Sequence, residues 1–183
     1  MITIHQNLSE NVKSNSLLRF LLMSKSFSNN NQNITTINMS EDECLFCKIG
    51  QGHDPETRIV YQDEEFVAFK DIKPSTSHHY LVIPKEHIRD PKVLTHEHIP
   101  LVERLAAVGC KVLEENVGTS ENARLGFHWP PFNSIKHLHL HAISQTNEMG
   151  FIAGGIFKPN TFWFVTLEWL LERIRKMKPA NSN

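Results

Sequence analysis

Cysteine is scarce, three residues in a chain of 183, and a small odd number excludes a disulfide scaffold and points to an intracellular protein. Charge of one sign is lacking too. Nineteen basic against twenty acidic side chains leave a formal net charge of −1, so no global field draws nucleic acid or anionic lipid and any phosphate recognition must be local. No apolar run approaches the roughly 18–20 residues of a membrane span, which excludes an integral membrane protein. No heptad pattern or internal repeat is present, so coiled coils and solenoids are set aside. What is abundant is histidine, with eleven residues. The length and the 40% hydrophobic content fit one globular domain with tails.

Residues 1–42 differ from the rest. Asn and Ser dominate, and Glu10 is the only acid before Glu41. The apolar and basic centre from Leu17 to Met23, flanked by Lys13 and Lys25, reads either as a sticky patch in a disordered extension or as a targeting segment of mitochondrial type. A domain is expected over 43–178, with 179–183 as a short tail.

Within the domain, Arg58–Gln62 and Glu65–Ile72 read as a hairpin around Asp63 and Glu64, and His79–Ile83 as a strand closed by Pro84. Leu101, Leu105, Val108 and Val112 recur at helical spacing between a Thr95 cap and Gly118, which predicts one long amphipathic helix. Asn122–Trp129 and Ile135–Ile143 follow as strands joined through Pro130 and Pro131. After a Gly-rich loop (Gly150, Gly154, Gly155), Thr166 caps a last helix carrying Leu167, Leu170, Leu171 and Ile174. Strands, helix, strands favour α+β with an antiparallel sheet over a doubly wound parallel one.

The chemistry concentrates in His137-Leu138-His139-Leu140-His141-Ala142-Ile143. On a strand this alternation aligns three imidazoles on one face, backed by an apolar layer. Such a row can hold a metal in a zinc hydrolase, or it can supply a neutral nucleophile with neighbouring proton donors, suited to attack on phosphorus. Ser134 lies close enough in sequence to donate to a phosphoryl oxygen or a leaving group. Cys44 and Cys47 alone are half a zinc site.

Residues 137–143 fit every position of the motif that defines the histidine triad superfamily of nucleotide hydrolases and transferases. Cys44–Ile49, Ala68–Pro74 and His79–Lys85 also resemble that family in order and spacing, over roughly residues 43–145. Gly126–Phe132 and the Phe162-Trp163-Phe164 tail are most similar to the branch that stands close to the aprataxins. The resemblance implies a histidine triad fold: a five-stranded antiparallel sheet with a long central helix and a C-terminal helix, paired into a homodimer.

It also implies that His139 attacks the α-phosphate of an adenosine 5′-monophosphoramidate-type substrate, giving a nucleotidyl-histidine that water hydrolyses. His137 and His141 would orient the nucleophile and bind phosphoryl oxygen, with Ser134 at the phosphate or leaving group. Asp71 matches the position that holds the ribose hydroxyls, and Phe46, Phe69 and Ile72 match the purine pocket. Cys44, Cys47, His79 and His137 match a structural zinc site, while the chemistry itself needs no cofactor. The partners implied are a purine nucleotide and a second copy of the chain. No membrane is implied, and no DNA either, because neither cysteine nor histidine follows residue 141 to build the aprataxins' extra zinc finger. Dinucleoside polyphosphate hydrolysis, or nucleotide binding with residual activity, are the alternatives. The cytoplasm and nucleus are the expected location, or the mitochondrion if the N-terminal segment is a targeting signal.

Overall fold

The computed structural model describes residues 44–179, so the N-terminal extension and the end of the tail lie outside the described residues. The chain enters through helix α1, Leu45–Gly50. Strands β1, Ile59–Gln62, and β2, Phe66–Lys70, then form the expected hairpin. Asp63 closes its turn, since Oδ1 accepts from the amides of Glu65 at 2.8 Å and Phe66 at 2.6 Å. Strand β3, His79–Pro84, pairs antiparallel with β2.

The long helix α2 spans Ile99–Val117. Thr95 does not cap it directly. Thr95 begins a 3-10 turn, His96–His98, and His98 then stands at the helix N-cap with Pro100 in the first turn, where a missing N–H costs nothing. At the other end Gly118 adopts φ +85° and its N–H bonds the Glu114 carbonyl, a left-handed conformation that favours glycine.

Strands β4, Arg124–His128, and β5, Leu140–Ile143, follow. The last strand is shorter than the sequence predicts, because residues 134–137 bend before the chain straightens. Beyond it, the glycine-rich segment forms a short helix α3, Phe151–Ile156, rather than a loop. It is held by Gly154 N–H on Gly150 O and by Trp163 Nε1–H on Gly155 O. Strand β6, Phe164–Thr166, adds a sixth strand to the expected five, and helix α4, Leu167–Arg175, starts where Thr166 Oγ1 accepts from Trp169 N, as its sequence predicts.

The sheet order is β1-β2-β3-β5-β4-β6 with every pair antiparallel. One face packs Ala68, Tyr80, Val82, Leu138, Leu140 and Ala142 against Val102, Leu105, Val112 and Leu113 of α2. Each large aliphatic side chain buried there contributes about 1.5–3 kcal/mol. On the opposite face, α1 lays Phe46 and Cys47 over Val67, Phe69, Leu81 and Ile83. The two-residue alternation that sends Leu140 and Ala142 to α2 therefore sends His139 and His141 to the other face.

Gly126 sits between His141 and Thr166 in the register. A Cβ there would lie 2.6 Å from both the Phe164 ring and the Val165 carbonyl oxygen, and backbone cannot yield. Gly126→Ala should lower the melting temperature by about 5 °C, from an overpacking cost of about 1–3 kcal/mol. Gly155→Ala, where nothing lies within 4 Å, serves as the control and should leave it within about a degree. Equal melting curves for the two variants would contradict this packing account.

Candidate active site

Hydrogen-bond chemistry settles which nitrogen carries each proton. His139 Nδ1 lies 2.7 Å from the His137 carbonyl oxygen. A carbonyl can only accept, so the proton is on Nδ1 and the lone pair is on Nε2. His139 is buried, and that burial pushes its pKa down to about 4 against the partial support of the carbonyl bond. It is neutral at pH 7. Its ring stands 5.4 Å from Phe46 and 5.0 Å from His141.

A relay fixes His141. The Ser75 amide donates to His79 Nδ1 at 3.1 Å, which leaves the His79 proton on Nε2, and that nitrogen faces His141 Nδ1 at 2.9 Å. His141 must then carry its own proton on Nε2, a buried atom with no hydrogen-bond partner among the described residues. An unpaired buried donor costs about 1–3 kcal/mol, so this N–H is poised for an acceptor supplied from outside the chain. Burial, with the neighbouring imidazoles adding to it, holds His141 well below its ordinary pKa and His79 down at about 3.

Asp71 Oδ1 accepts from the Lys73 amide at 2.8 Å, while Oδ2 lies 3.4 Å from His79 Nε2 and 3.9 Å from His141 Nδ1. Burial raises its pKa to about 6, opposed by the Lys73 amide and charge. Phe46 and Phe69 are both buried with their rings 5.5 Å apart, and of the two it is Phe46 that packs on His139. Ile72 is instead 57% exposed, and Ser134 is exposed in the bend before His137.

His137 turns away from the other two. Its Nε2 donates to the Pro84 carbonyl at 2.8 Å, so the Nδ1 lone pair faces Cys44 Sγ and Cys47 Sγ, each at 3.5 Å. His87 Nδ1 lies 3.1 Å from Cys47 Sγ. The expected fourth member, His79, is not in this group; His87 takes its place, and the four donor atoms lie within 4.8 Å of one another. Leu138 N–H on Ile88 O pins the two segments together.

The donor set fits zinc. Metal–ligand lengths of about 2.3 Å for sulfur and 2.0–2.1 Å for nitrogen give a tetrahedral S···N edge of about 3.5 Å, which the two His137 distances match. A ligand histidine also characteristically donates its other N–H to a carbonyl, as His137 does to Pro84. Two thiolates and two imidazoles would close the coordination sphere. The three motif histidines do not themselves converge on one point, since His137 belongs to the cysteine group and His141 to the relay with His79. That separation removes the geometry a three-histidine metal centre needs.

His128 was not singled out by its sequence pattern. Its Nδ1 lies 3.3 Å from the Trp163 carbonyl and its ring 4.9 Å from that of His141. The signal available was alternation on β4, legible only once the register to β5 is known.

Residues 43–154 match the family described as the scavenger mRNA decapping enzyme C-terminal binding domain. An adenosine 5′-monophosphoramidase of Mus musculus is 44% identical over 138 residues, covering 74% of this chain and 84% of the mouse protein. The chain belongs to the histidine triad family. A second adenosine 5′-monophosphoramidase, from Xenopus tropicalis, is 40% identical over 72% of this chain and 87% of its own length. A solved histidine triad hydrolase from Clostridium thermocellum superposes with a TM-score of 0.53 at 31% identity, covering 61% of this chain and 97% of that one. For a histidine triad protein, the arrangement supplies a neutral imidazole nitrogen with a free lone pair, next to a buried N–H awaiting an anionic oxygen.

Proposed function

We propose that this chain hydrolyses the phosphorus–nitrogen bond of adenosine 5′-monophosphoramidate and similar nucleoside phosphoramidates through a nucleotidyl intermediate on His139. The observation that carries the reading is the protonation pattern: His139 Nδ1–H is held by the His137 carbonyl, which leaves Nε2 free for attack. The likeness to two adenosine 5′-monophosphoramidases supports the choice of substrate.

His139 Nε2 attacks the α-phosphorus, the amine leaves with the bonding pair, and water then cleaves the phosphorus–histidine bond to release the nucleotide. His141 Nε2–H donates to a non-bridging oxygen as negative charge grows there, a role its unpartnered state prepares. Phe46 and Phe69 border the base side, and Asp71 accepts from the ribose hydroxyls through lone pairs the Lys73 amide leaves free. Cys44, Cys47, His87 and His137 are the residues that would hold a structural zinc ion. Zinc there would supply rigidity and no Lewis-acid chemistry, since His137 offers its ring to the metal and its carbonyl to His139.

Purified protein should convert adenosine 5′-monophosphoramidate to AMP and ammonia much faster than it cleaves a diadenosine polyphosphate, measured by chromatography. A reversed order would replace this reading with dinucleoside polyphosphate hydrolysis. Asp71→Ala should weaken ribonucleotide binding by about tenfold, the loss of one charged hydrogen-bond acceptor, and weaken the 2′-deoxy analogue much less. Equal losses for both sugars would assign Asp71 to the His79–His141 relay instead.

A further inference from the structure

Two short helices flank the histidine row. Phe46 of α1 packs with its ring 5.4 Å from that of His139, and Phe157, which closes α3, packs 5.2 Å from that of His141. Phe46, Phe69 and Asp71 are taken up by the nucleoside in the reading above. An attacking atom and its leaving group stand roughly in line through phosphorus, so whatever the departing amine carries must point away from the nucleoside. The surface left for it runs along α3.

That surface is apolar and open. Phe151 is 99% exposed and Ile152 77%, and large apolar groups clustered in the open mark a binding surface. With Phe132, Ile156 and Trp163 they line a groove of about 830 Å³. The groove is continuous with the reacting centre, since His128 borders it and lies with its ring 4.9 Å from that of His141. Trp163 Nε1–H is taken by the Gly155 carbonyl, which leaves the indole to the groove as apolar surface. Gly150 and Gly154 also line it, and a Cβ on either would meet nothing within 4 Å. They leave a bare trough that admits an extended chain. Apart from His128 and Lys158, the described lining residues are apolar or glycine, so a polar leaving group finds few side-chain partners there. A second cavity, of about 510 Å³, lies against Lys73, Pro74 and Ser75 in the loop after Asp71, and so falls on the ribose side.

We infer that the groove along α3 is the leaving-group site and that it selects nucleoside phosphoramidates of long-chain alkylamines, lipid-like amines whose chain lies against Phe151, Ile152 and Ile156. The inference rests on the phosphoramidase reading above and names the substrate class within it. The reaction itself is unchanged: the phosphorus–nitrogen bond breaks, water supplies oxygen to phosphorus and a proton to nitrogen, and the chain departs as the free amine beside AMP. Full burial of one methylene strengthens binding about fourfold. A groove open to solvent on one side covers about half of that surface, so each added methylene should raise kcat/KM about twofold. Ammonia, the product from the unsubstituted phosphoramidate, makes no use of the groove.

The test is a series of AMP N-alkylamides from ethyl to octyl, hydrolysed by the full chain. Unbranched alkylamines share nearly the same basicity, so the chemistry at phosphorus stays constant and only contact along the chain varies. Wild-type kcat/KM should rise by about sixtyfold from the ethylamide to the octylamide. The double variant Phe151→Ser with Ile152→Ser should cut that ratio to below about tenfold, and so should Ile156→Ser, whereas Val93→Ser, an exposed apolar residue outside the groove, should leave the ratio as it is. Because each result is a ratio of two rates on one preparation, loss of folded protein cancels. A wild-type ratio near one, or a rise with chain length that survives both groove variants, would overturn the leaving-group site. Wild-type protein that cleaves neither these amides nor adenosine 5′-monophosphoramidate would overturn the phosphoramidase reading itself.

Discussion

Replacing His139 with asparagine is expected to cut turnover of adenosine 5′-monophosphoramidate by about a thousandfold or more while leaving nucleotide affinity within a few fold. Loss of a covalent nucleophile removes a whole reaction path, whereas one lost contact costs roughly 1–3 kcal/mol. Asparagine is the informative choice. Its amide can still donate to the His137 carbonyl, the partner His139 uses at 2.7 Å, so the backbone conformation ahead of β5 is kept and only the attacking nitrogen is lost. Turnover within tenfold of wild type would mean that the nucleophile lies elsewhere.

The second large effect is on stability. Purified protein should contain about one zinc ion per chain, and Cys44→Ser, Cys47→Ser and His87→Ala should each abolish that content and lower the melting temperature by about 10 °C. His79→Ala should keep the metal. The contrast follows from position: His87 Nδ1 stands 3.1 Å from Cys47 Sγ, whereas His79 is engaged with His141 on the other side of the site. Metal analysis decides between them without reference to activity. Zinc lost from the His79 variant and retained in the His87 variant would restore the set that the family resemblance implies, and zinc-free wild-type protein grown with ample metal would return the cysteines to the α1 core.

Why His79 looked plausible and His87 did not is a matter of what a sequence can encode. The histidine triplet, the hairpin turn at Asp63, the Thr166 cap and the Gly118 terminus are local, governed by residues within four positions, and they are readable as such. The zinc set joins α1, the loop after β3 and the bend before β5. It depends on Leu138 bonding Ile88, a contact known only once β3 and β5 are neighbours. His137 illustrates the limit of period-two reasoning: alternation predicts it beside His139, yet the chain has not become a strand at that point, and its ring turns to the cysteines. Strand β6 is short and lies against β4, so nothing in Phe164–Thr166 alone marks it as sheet. Helix α3 was hidden by glycines that read as loop residues, although Trp163 ties its end in place.

The most direct measurement of the central claim is the intact mass of wild-type protein quenched in acid-free conditions during turnover of a slow adenosine 5′-phosphoramidate analogue. A covalent adduct with the added mass of one adenylyl group, mapped by peptide fragmentation to His139 and missing in His139→Asn, is the expected result. An adduct on another residue, or steady turnover with no adduct when breakdown of the intermediate is the slow step, would contradict the account.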